Sequence, residues 1–314
     1  MSLSPSSSGA RGLKIGTRGS PLALAQAHEL RGRLAASSRI DGDAIEIVVI
    51  KTSGDVIQDR ALSEAGGKGL FTKELDFALM RGEVDIAVHS AKDLPTSLPG
   101  EIAIAGYLPR EDVRDAWISP KAAHPLELPA GAVVGTASLR RGAMVKRLRP
   151  DLSIVLLRGN VETRLGKLAA GEVDATLLAL AGLKRLGLED RATAVLDAGE
   201  FVPAAGQGAI AITLRAGDQA ALDALAPVLD AATGAALAAE RAFLHVLDGS
   251  CKTPIGAHAR LAGDEINFHG VVLKPDGSQF FEVVLSGSAR EAAALGAAAG
   301  DDVRARLPAA FFED

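Results

Sequence analysis

The phrase Gly-Glu-Val-Asp occurs twice in the chain, at residues 82–85 and 171–174, and each copy lies where a helix is expected to end and a strand to begin. In both cases an earlier strand ends in Gly-Thr, at residues 16–17 and 135–136. The spacing from Gly-Thr to the phrase is 66 residues in one case and 36 in the other, which is too unequal for a repeat array. The pattern therefore predicts two similar lobes that face a cleft.

Strand-like and helix-like segments alternate from residue 13 to residue 180, which predicts mostly parallel sheets covered by helices. Ser20-Pro21 is expected to start a helix, because a hydroxyl caps it and proline suits its first position. Its buried stripe is expected to be Leu22, Ala25, Leu30 and Leu34. Five strands are expected after this helix, over 44–51, 85–89, 132–136, 154–157 and 174–180. A further helix is expected over 71–81.

The last part of the chain has a different pattern. An Ala-rich helix is expected over 231–247, then strands over 257–261, 265–273 and 279–285, then a helix over about 289–307. Turn residues separate the three strands, which favours an antiparallel meander. The predicted fold class is α/β, with two lobes of mixed, mostly parallel sheets and a small α+β C-terminal domain.

Charge and cysteine content limit the possible functions. The net charge of −5 over 314 residues does not favour a general binder of nucleic acid or of an anionic membrane. A single cysteine and a start without a signal-peptide pattern predict a cytoplasmic protein. The six histidines are scattered, so no metal site is expected.

Polar residues follow the expected strands, where α/β folds bind ligands. Lys92 and Asp93 have two possible roles. They lie either in a solvated surface turn or at the floor of a cleft, where the Asp93 carboxylate would transfer protons or hold a cationic intermediate. Arginines recur at such positions and would together suit a polyanionic ligand; they are Arg18, Arg140, Arg141, Arg158, Arg164 and Arg185. No loop matches a nucleotide-binding fingerprint.

Cys251 lies in a loop rich in Gly and Pro and precedes Lys252. A lone cysteine is commonly an inert buried residue, whereas a neighbouring cation favours the reactive thiolate. The residues alone leave three readings open: an enzyme with a covalent cysteine, a non-catalytic anion-binding module, and a nucleic-acid binder that uses the basic stretch 140–149. They name no substrate.

Eight phrases occur in order along the chain: residues 16–24 (GTRGSPLAL), 66–71 (GGKGLF), 85–95 (DIAVHSAKDLP), 135–141 (GTASLRR), 157–161 (LRGNV), 180–187 (LAGLKRLG), 203–208 (PAAGQG) and 251–256 (CKTPIG). Taken together, they resemble the porphobilinogen deaminase family from about Leu13 to the end of the chain. The resemblance implies two lobes like those of periplasmic binding proteins and a monomer. The implied domains are 1–108 with 209–226, 109–208, and 227–314.

The resemblance also implies an activity. Four porphobilinogen molecules are joined into a linear tetrapyrrole with loss of ammonia, on a dipyrromethane cofactor held by Cys251 through a thioether. Asp93 would stabilise cationic pyrroles, and Lys92 and Arg18 would assist it. The implied cofactor-binding residues are Cys251, Asp93, Lys68, Ser20, Thr136, Ser138, Arg140, Arg141, Arg158, Gly159 and Gln207. The implied substrate-binding residues are Arg18, Ser20, Arg158, Arg164, Arg185 and Phe71.

The departures from the family pattern are few. Glu64 stands where some relatives have a lysine, which puts any role for a cation there in doubt. Ser250 replaces a common glycine before the cysteine, and Lys252-Thr253 replace a common Gln-Val. None of these changes removes a residue that the implied mechanism needs.

Overall fold

The structure is a computed structural model that describes residues 12–37, 42–56, 69–248, 253–308 and 311. Its strands are β1 Leu13–Thr17, β2 Ile45–Val49, β3 Ile86–Ser90, β4 Ile102–Tyr107, β5 Asp115–Ile118, β6 Val133–Gly135, β7 Ser153–Val155, β8 Ala175–Ala179, β9 Ala194–Val195, β10 Ile210–Arg215, β11 Ile255–Ala262, β12 Glu265–Leu273 and β13 Phe280–Ser288. Its helices are α1 Pro21–Ala36, α2 Ser53–Val56, α3 Lys73–Met80, α4 Leu139–Leu148, α5 Val161–Ala169, α6 Leu180–Arg185, α7 Gln219–Leu225, α8 Ala231–Val246 and α9 Ala292–Arg306.

Two five-stranded sheets share one pattern of strand directions, although their strands are connected in a different order along the chain. The first has the order β2-β1-β3-β10-β4 and the second β7-β6-β8-β5-β9. In each sheet three neighbouring strands are parallel, and the fourth runs antiparallel to both of its neighbours. The predicted pair of similar lobes with mixed, mostly parallel sheets is therefore confirmed.

The chain crosses between the lobes twice. The first crossing leads from β4 to β5, and the second leads from the second lobe back to β10, which lies inside the first sheet between β3 and β4. The backbone N–H of Glu111 in the first crossing donates to the carbonyl of Gly208 in the second, at 3.2 Å. Because the two crossings are bonded to each other, they form one joint between the lobes. The domain boundaries stated above remain a proposal.

The C-terminal domain packs α8 and α9 against an antiparallel sheet of order β11-β12-β13, which confirms the predicted meander. The rings of Phe243 and Phe268 meet in its core with centroids 5.1 Å apart. Buried residues of the first lobe, such as Ala91 and Leu94, belong to the same apolar cluster. The domain is thus packed directly against the first lobe.

Helix α1 differs from its predicted stripe. Ser20 caps the helix as expected, and its Oγ accepts a hydrogen bond from the backbone N–H of Ala23 at 3.2 Å. Leu30 and Leu34 are buried, but Leu22 is only half-buried, since it faces Gly182 of α6 in the second lobe. Ala25 is likewise half-buried. Ala23 and Ala27 complete the buried face instead, so the prediction for Leu22 and Ala25 was wrong.

One buried carboxylate joins both crossings to the C-terminal domain. Glu240 of α8 has no exposed surface and accepts two hydrogen bonds from the Arg110 guanidinium, at 2.7 and 3.0 Å. It also accepts from the backbone N–H groups of Gly206, at 2.7 Å, and Ala259, at 2.8 Å. Arg110 Nε donates to the carbonyl of Gln207 at 2.9 Å. Bidentate, charge-assisted bonds of this kind fix geometry as well as adding stability.

We expect the substitution Glu240→Ala to lower the free energy of unfolding by about 3–5 kcal/mol, because it leaves a buried guanidinium and two buried amides without their acceptor. Urea unfolding followed by circular dichroism measures the change. The matched control is Glu265→Ala, an exposed glutamate of the same domain, for which a change within about 0.5 kcal/mol is expected. Equal effects of the two substitutions would contradict the assigned role of Glu240.

Candidate active site between the lobes

Asp93 and Arg18 lie at the carboxyl ends of the neighbouring parallel strands β3 and β1 in the first lobe. Arg18 Nη1 is 3.9 Å from Asp93 Oδ2, and both side chains are partly open to solvent, at 20% and 33% exposed area. The guanidinium of Arg18 also stacks over the ring of Phe71, 4.1 Å from its centroid. This cation–π contact orients the arginine beside the carboxylate. The structure therefore brings together three of the residues predicted from the sequence.

Lys92 extends from the same turn toward the second crossing, where its Nζ donates to Gln207 Oε1 at 3.3 Å. The residue keeps exposed surface, yet its ammonium group lies among protein atoms in the cleft. That partial burial, with repulsion from Arg141, lowers the pKa of Lys92 below its ordinary value. Lys92 is thus a cation of the first lobe that faces a cation of the second.

Asp115, at the start of β5, was not predicted from the sequence and is the centre of the second lobe's polar network. Its carboxylate has no exposed surface and accepts from Arg140 Nη2 at 2.7 Å and from Arg141 Nη2 at 2.7 Å. Gln207 Nε2 donates to it at 2.9 Å. Burial alone would raise the pKa of Asp115, but the two guanidiniums outweigh it and hold this pKa well below the usual range.

Arg140 and Arg141 are both buried, and both donate to the carboxylate of Asp115. Arg140 is buried, and its Nη1 donates to the carbonyl of Val202 at 2.8 Å. Arg141 donates to the carbonyl of Leu177 at 2.9 Å, and it is also the cation that repels both Lys92 and Arg164. Their predicted contacts with a ligand remain predictions; for both arginines the structure shows bonds to Asp115.

Arg164 and Arg158 belong to the wall of the second lobe. Arg164 Nε donates to the carbonyl of Gly159 at 2.9 Å, and Gly159 directly precedes Asn160, the N-cap of α5. Partial burial, together with repulsion from Arg141 and Arg158, lowers the pKa of Arg164, while Asp93 of the opposite lobe acts against this shift. Arg164 of the second lobe is therefore within electrostatic range of Asp93 of the first.

Three predicted hydroxyl groups lie at helix N-termini. Ser138 Oγ accepts from the backbone N–H of Arg141 at 3.4 Å and caps α4, and Thr136 Oγ1 accepts from the backbone N–H of Ser138 at 3.1 Å. Ser20 caps α1 in the same way. Each of these oxygens uses a lone pair in its bond, so its O–H remains able to donate to an anion.

Arg185 connects the two lobes. Its Nε is 3.1 Å from Glu29 Oε2 of α1, and its Nη2 donates to the carbonyl of Gly208 in the second crossing at 3.0 Å. The predicted role of Arg185 in binding substrate remains a prediction, since in this structure its guanidinium bridges α1 and the crossing. Glu29 was not predicted from the sequence.

Two predicted residues, Lys68 and Cys251, lie outside the described residues, as do Glu64 and Ser250. Within the part of the chain that is described, no group of three or more side chains could hold a metal ion. No described helix is both long enough and apolar enough to cross a bilayer.

Comparison with known proteins identifies the family. The family model "Porphobilinogen deaminase, dipyromethane cofactor binding domain" matches residues 13–223, and "Porphobilinogen deaminase, C-terminal domain" matches residues 235–305. The chain belongs to the porphobilinogen deaminase family. It is 58% identical over 298 residues to the porphobilinogen deaminases of Nitrobacter hamburgensis and Nitrobacter winogradskyi, covering 95% of this chain and 94% of each relative.

Two solved structures of substrate-binding proteins resemble this chain distantly. A periplasmic substrate-binding protein of an ABC transporter from Coxiella burnetii aligns over 69% of this chain and 91% of its own, at 15% identity and a TM-score of 0.44. A methionine-binding lipoprotein from Bacillus subtilis, described as putative, gives 16% identity, 69% and 90% coverage, and a TM-score of 0.43.

The residues of the cleft fit the family's dipyrromethane, whose pyrrole rings carry carboxylate side chains. The two carboxylates Asp93 and Asp115 lie within electrostatic range of a larger set of cations. That set consists of Arg18, Lys92, Arg140, Arg141, Arg158 and Arg164. A surplus of positive charge with hydroxyl donors at two helix N-termini suits a ligand with several carboxylates. Arg158, Arg164 and Ser138 would hold it on the side of the second lobe.

The missed residues carried a weak signal in the sequence. Glu240 falls at helical spacing between buried Ala236 and Phe243 of α8, so a charge on that buried face needs a buried partner. Asp115 begins a short apolar run, Asp115-Ala116-Trp117-Ile118, in the same way. Neither pattern indicates which arginine provides the partner, because the partners are 130 and 26 residues away in the chain.

A buried acid on α3 gives the first lobe a pH dependence. Asp76 is 5% exposed, and within the described residues its Oδ1 accepts no hydrogen bond. Burial raises the pKa of Asp76 from 3.8 to about 6. Because the folded-state pKa lies above the unfolded value, the native state binds more protons between about pH 4 and pH 6, and the free energy of unfolding falls as the pH rises through that window.

We therefore expect Asp76→Asn to raise the free energy of unfolding at pH 7.5 by on the order of 2 kcal/mol, because the amide carries no charge to bury. At pH 4 both forms are neutral and the difference should vanish. Urea unfolding at both pH values measures it, with the exposed Asp301→Asn as control. If Asp76→Asn changes the free energy of unfolding by the same amount at both pH values, Asp76 does not titrate in this range.

Proposed function

We propose that this chain is an active, monomeric, cytoplasmic porphobilinogen deaminase. As a transferase it joins four porphobilinogen molecules into hydroxymethylbilane and releases ammonia, on a dipyrromethane attached to Cys251. The observation that carries the proposal is the pairing of Asp93 with Arg18, opposite the cationic wall that carries Arg158 and Arg164. This wall accommodates the carboxylates of the substrate, and Asp93 faces the pyrrole rings.

Asp93 acts where positive charge develops. When the aminomethyl C–N bond of porphobilinogen breaks, ammonia leaves with the bonding electrons and the pyrrole becomes a cationic methylene-pyrrolenine. A carboxylate beside the pyrrole N–H stabilises that charge. After carbon–carbon bond formation the attacked ring carbon loses a proton, and Asp93 is suited to accept it. Arg18, held by Phe71 at 4.1 Å, keeps the carboxylate in position and binds an acidic side chain of the substrate.

The dipyrromethane, when bound, supplies the free pyrrole carbon to which the first substrate unit is joined. On this chain Cys251 is the proposed attachment point, and the adjacent Lys252 favours the thiolate that forms the thioether. Ser138, Thr136 and the backbone N–H groups at the start of α4 bind acidic side chains on that wall. Gln207 accepts a hydrogen bond from Lys92 and donates one to Asp115. It therefore holds the two walls of the cleft in a fixed relative position.

We propose no nucleic-acid partner, because the basic stretch 140–149 is used within the protein. Arg140 and Arg141 are buried against Asp115. Arg149 pairs with Asp151 at 2.7 Å, and the guanidinium of Arg147 lies 3.6 Å from the ring centroid of Phe280. Few of these cations remain to contact phosphates. The other alternative, a non-catalytic binding module, has no use for Asp93 or Cys251.

The covalent cofactor is tested by intact mass. We expect the purified parent to exceed its sequence mass by two linked pyrrole units, and Cys251→Ala to fold with no excess. An unmodified parent that gains nothing on incubation with porphobilinogen would refute the proposed attachment and favour the binding module.

The role of Asp93 is tested by Asp93→Asn, which keeps the size of the side chain and removes its charge. We expect the variant to carry the cofactor mass and to lose turnover by about a hundredfold or more, because the cationic pyrroles are no longer stabilised. Hydroxymethylbilane formation, measured after its cyclisation and oxidation to uroporphyrin, gives kcat. The matched control Asp190→Asn, at an exposed position of the second lobe, should retain parental kcat. Parental turnover in Asp93→Asn would show that its charge is not needed.

A further inference from the structure

The turn between β12 and β13, residues 274–279, is compact and internally bonded. The backbone N–H of Lys274 donates to the carbonyl of Gln279 at 2.9 Å, and that of Gly277 donates to the carbonyl of Lys274 at 2.9 Å. Asp276 Oδ1 accepts from the backbone N–H of Ser278 at 2.9 Å and from its hydroxyl at 2.7 Å. Such a turn presents a fixed shape to whatever it contacts.

The tip of this turn lies against the backbone of α4 in the second lobe. A Cβ atom built on Gly277 would be 2.4 Å from the backbone nitrogen of Arg147 and 2.7 Å from the carbonyl oxygen of Ala143. Both distances are shorter than any real Cβ contact, and neither atom can move without the helix. Only glycine allows the turn and the helix to come this close, and Gly277 also adopts a positive φ of 74°.

Two further contacts extend this interface. The guanidinium of Arg147 stacks on the ring of Phe280 at 3.6 Å from its centroid. Val271 and Leu273 of β12 belong to the same buried apolar cluster as Met144 of α4. The C-terminal domain therefore holds the second half of α4 through backbone contact, a cation–π contact and apolar packing.

The two ends of α4 contact different parts of the protein. Its N-terminal end carries Ser138 and Arg141 at the cleft wall, whereas its C-terminal half rests on the turn. The backbone N–H of Leu273, just before the turn, donates to the carbonyl of Pro254 at 3.0 Å. Pro254 is three residues after Cys251 in the sequence. The same short piece of the C-terminal domain thus contacts both the helix of the cleft wall and the chain that follows the cysteine.

We propose that residues 274–280 act as a clamp on α4, and that Gly277 and Phe280 are positioning residues for the reaction. The clamp sets the distance between the anion-binding end of α4 and the segment that follows Cys251, so that one ligand can be attached at one place and bound at the other. This inference rests on the proposed function, since it requires attachment at Cys251.

The test compares Gly277→Ala with Gly263→Ala. Gly263 lies in the turn between β11 and β12 of the same sheet, adopts a similar φ of 64°, and has no atom within 4 Å of its would-be Cβ. Both substitutions impose the same backbone strain, but only Gly277→Ala separates the turn from α4. Phe280→Leu, at a residue 41% exposed, removes the ring under Arg147 without strain and serves if Gly277→Ala does not fold.

We expect hydrogen–deuterium exchange in the 139–148 segment to be faster in Gly277→Ala and Phe280→Leu, and unchanged in Gly263→Ala. We expect kcat to fall about tenfold or more in Gly277→Ala with little change in KM, because the substrate-binding arginines of the first lobe and α5 do not touch the clamp. Phe280→Leu should show a smaller loss of the same kind.

Intact mass separates this inference from the proposed function. If the parent carries the cofactor mass, and Gly277→Ala matches Gly263→Ala in both α4 exchange and kcat, the clamp is overturned and the proposed function stands. If Gly277→Ala is not folded, parental exchange and kcat in Phe280→Leu overturn it. A parent that never gains the cofactor overturns the proposed function, and the positioning role with it.

Discussion

The arrangement of the cleft depends on the buried charge of Asp115. Arg140 and Arg141 enter the protein side by side at the start of α4, and two adjacent guanidiniums without a counter-ion would be strongly destabilising there. The carboxylate compensates both of them and also accepts a hydrogen bond from Gln207. Because Gln207 in turn accepts from Lys92 of the opposite lobe, a single buried anion organises polar groups on both sides of the cleft.

Glu240 follows the same principle at the joint behind the cleft. It bonds Arg110 of the first crossing, the backbone of the second crossing and the backbone of β11. The relative placement of the two lobes and the C-terminal domain thus depends on the directional hydrogen bonds of Asp115 and Glu240, and not on buried apolar area alone. Buried networks of this kind favour one arrangement, since a shift would separate a buried charge from its partner.

Local patterns predicted most of the architecture, and distant pairings escaped them. The Ser20 cap, the alternating elements and the meander at the end of the chain follow from short-range rules. The strands β4, β5, β9 and β10 were not assigned from those patterns, because they form only when residues far apart in sequence meet. For the site, an arginine near the start of a helix looks the same in the sequence whether it bonds a buried carboxylate, as Arg140 does, or a backbone carbonyl, as Arg164 does. Asp93 and Cys251 were candidates from their surroundings in the sequence, but their roles came from the resemblance to a family.

The strand order also determines the sequence of events on the ribosome. The second sheet is built entirely from residues 115–195, whereas the first needs β10, whose Ile210 pairs with Ser90 across 120 residues. At about 5–20 residues per second, the edge of β3 waits on the order of ten seconds for that partner. The lobe that is translated first is therefore completed after the lobe that is translated second, and its apolar edge is the part of the nascent chain most in need of protection.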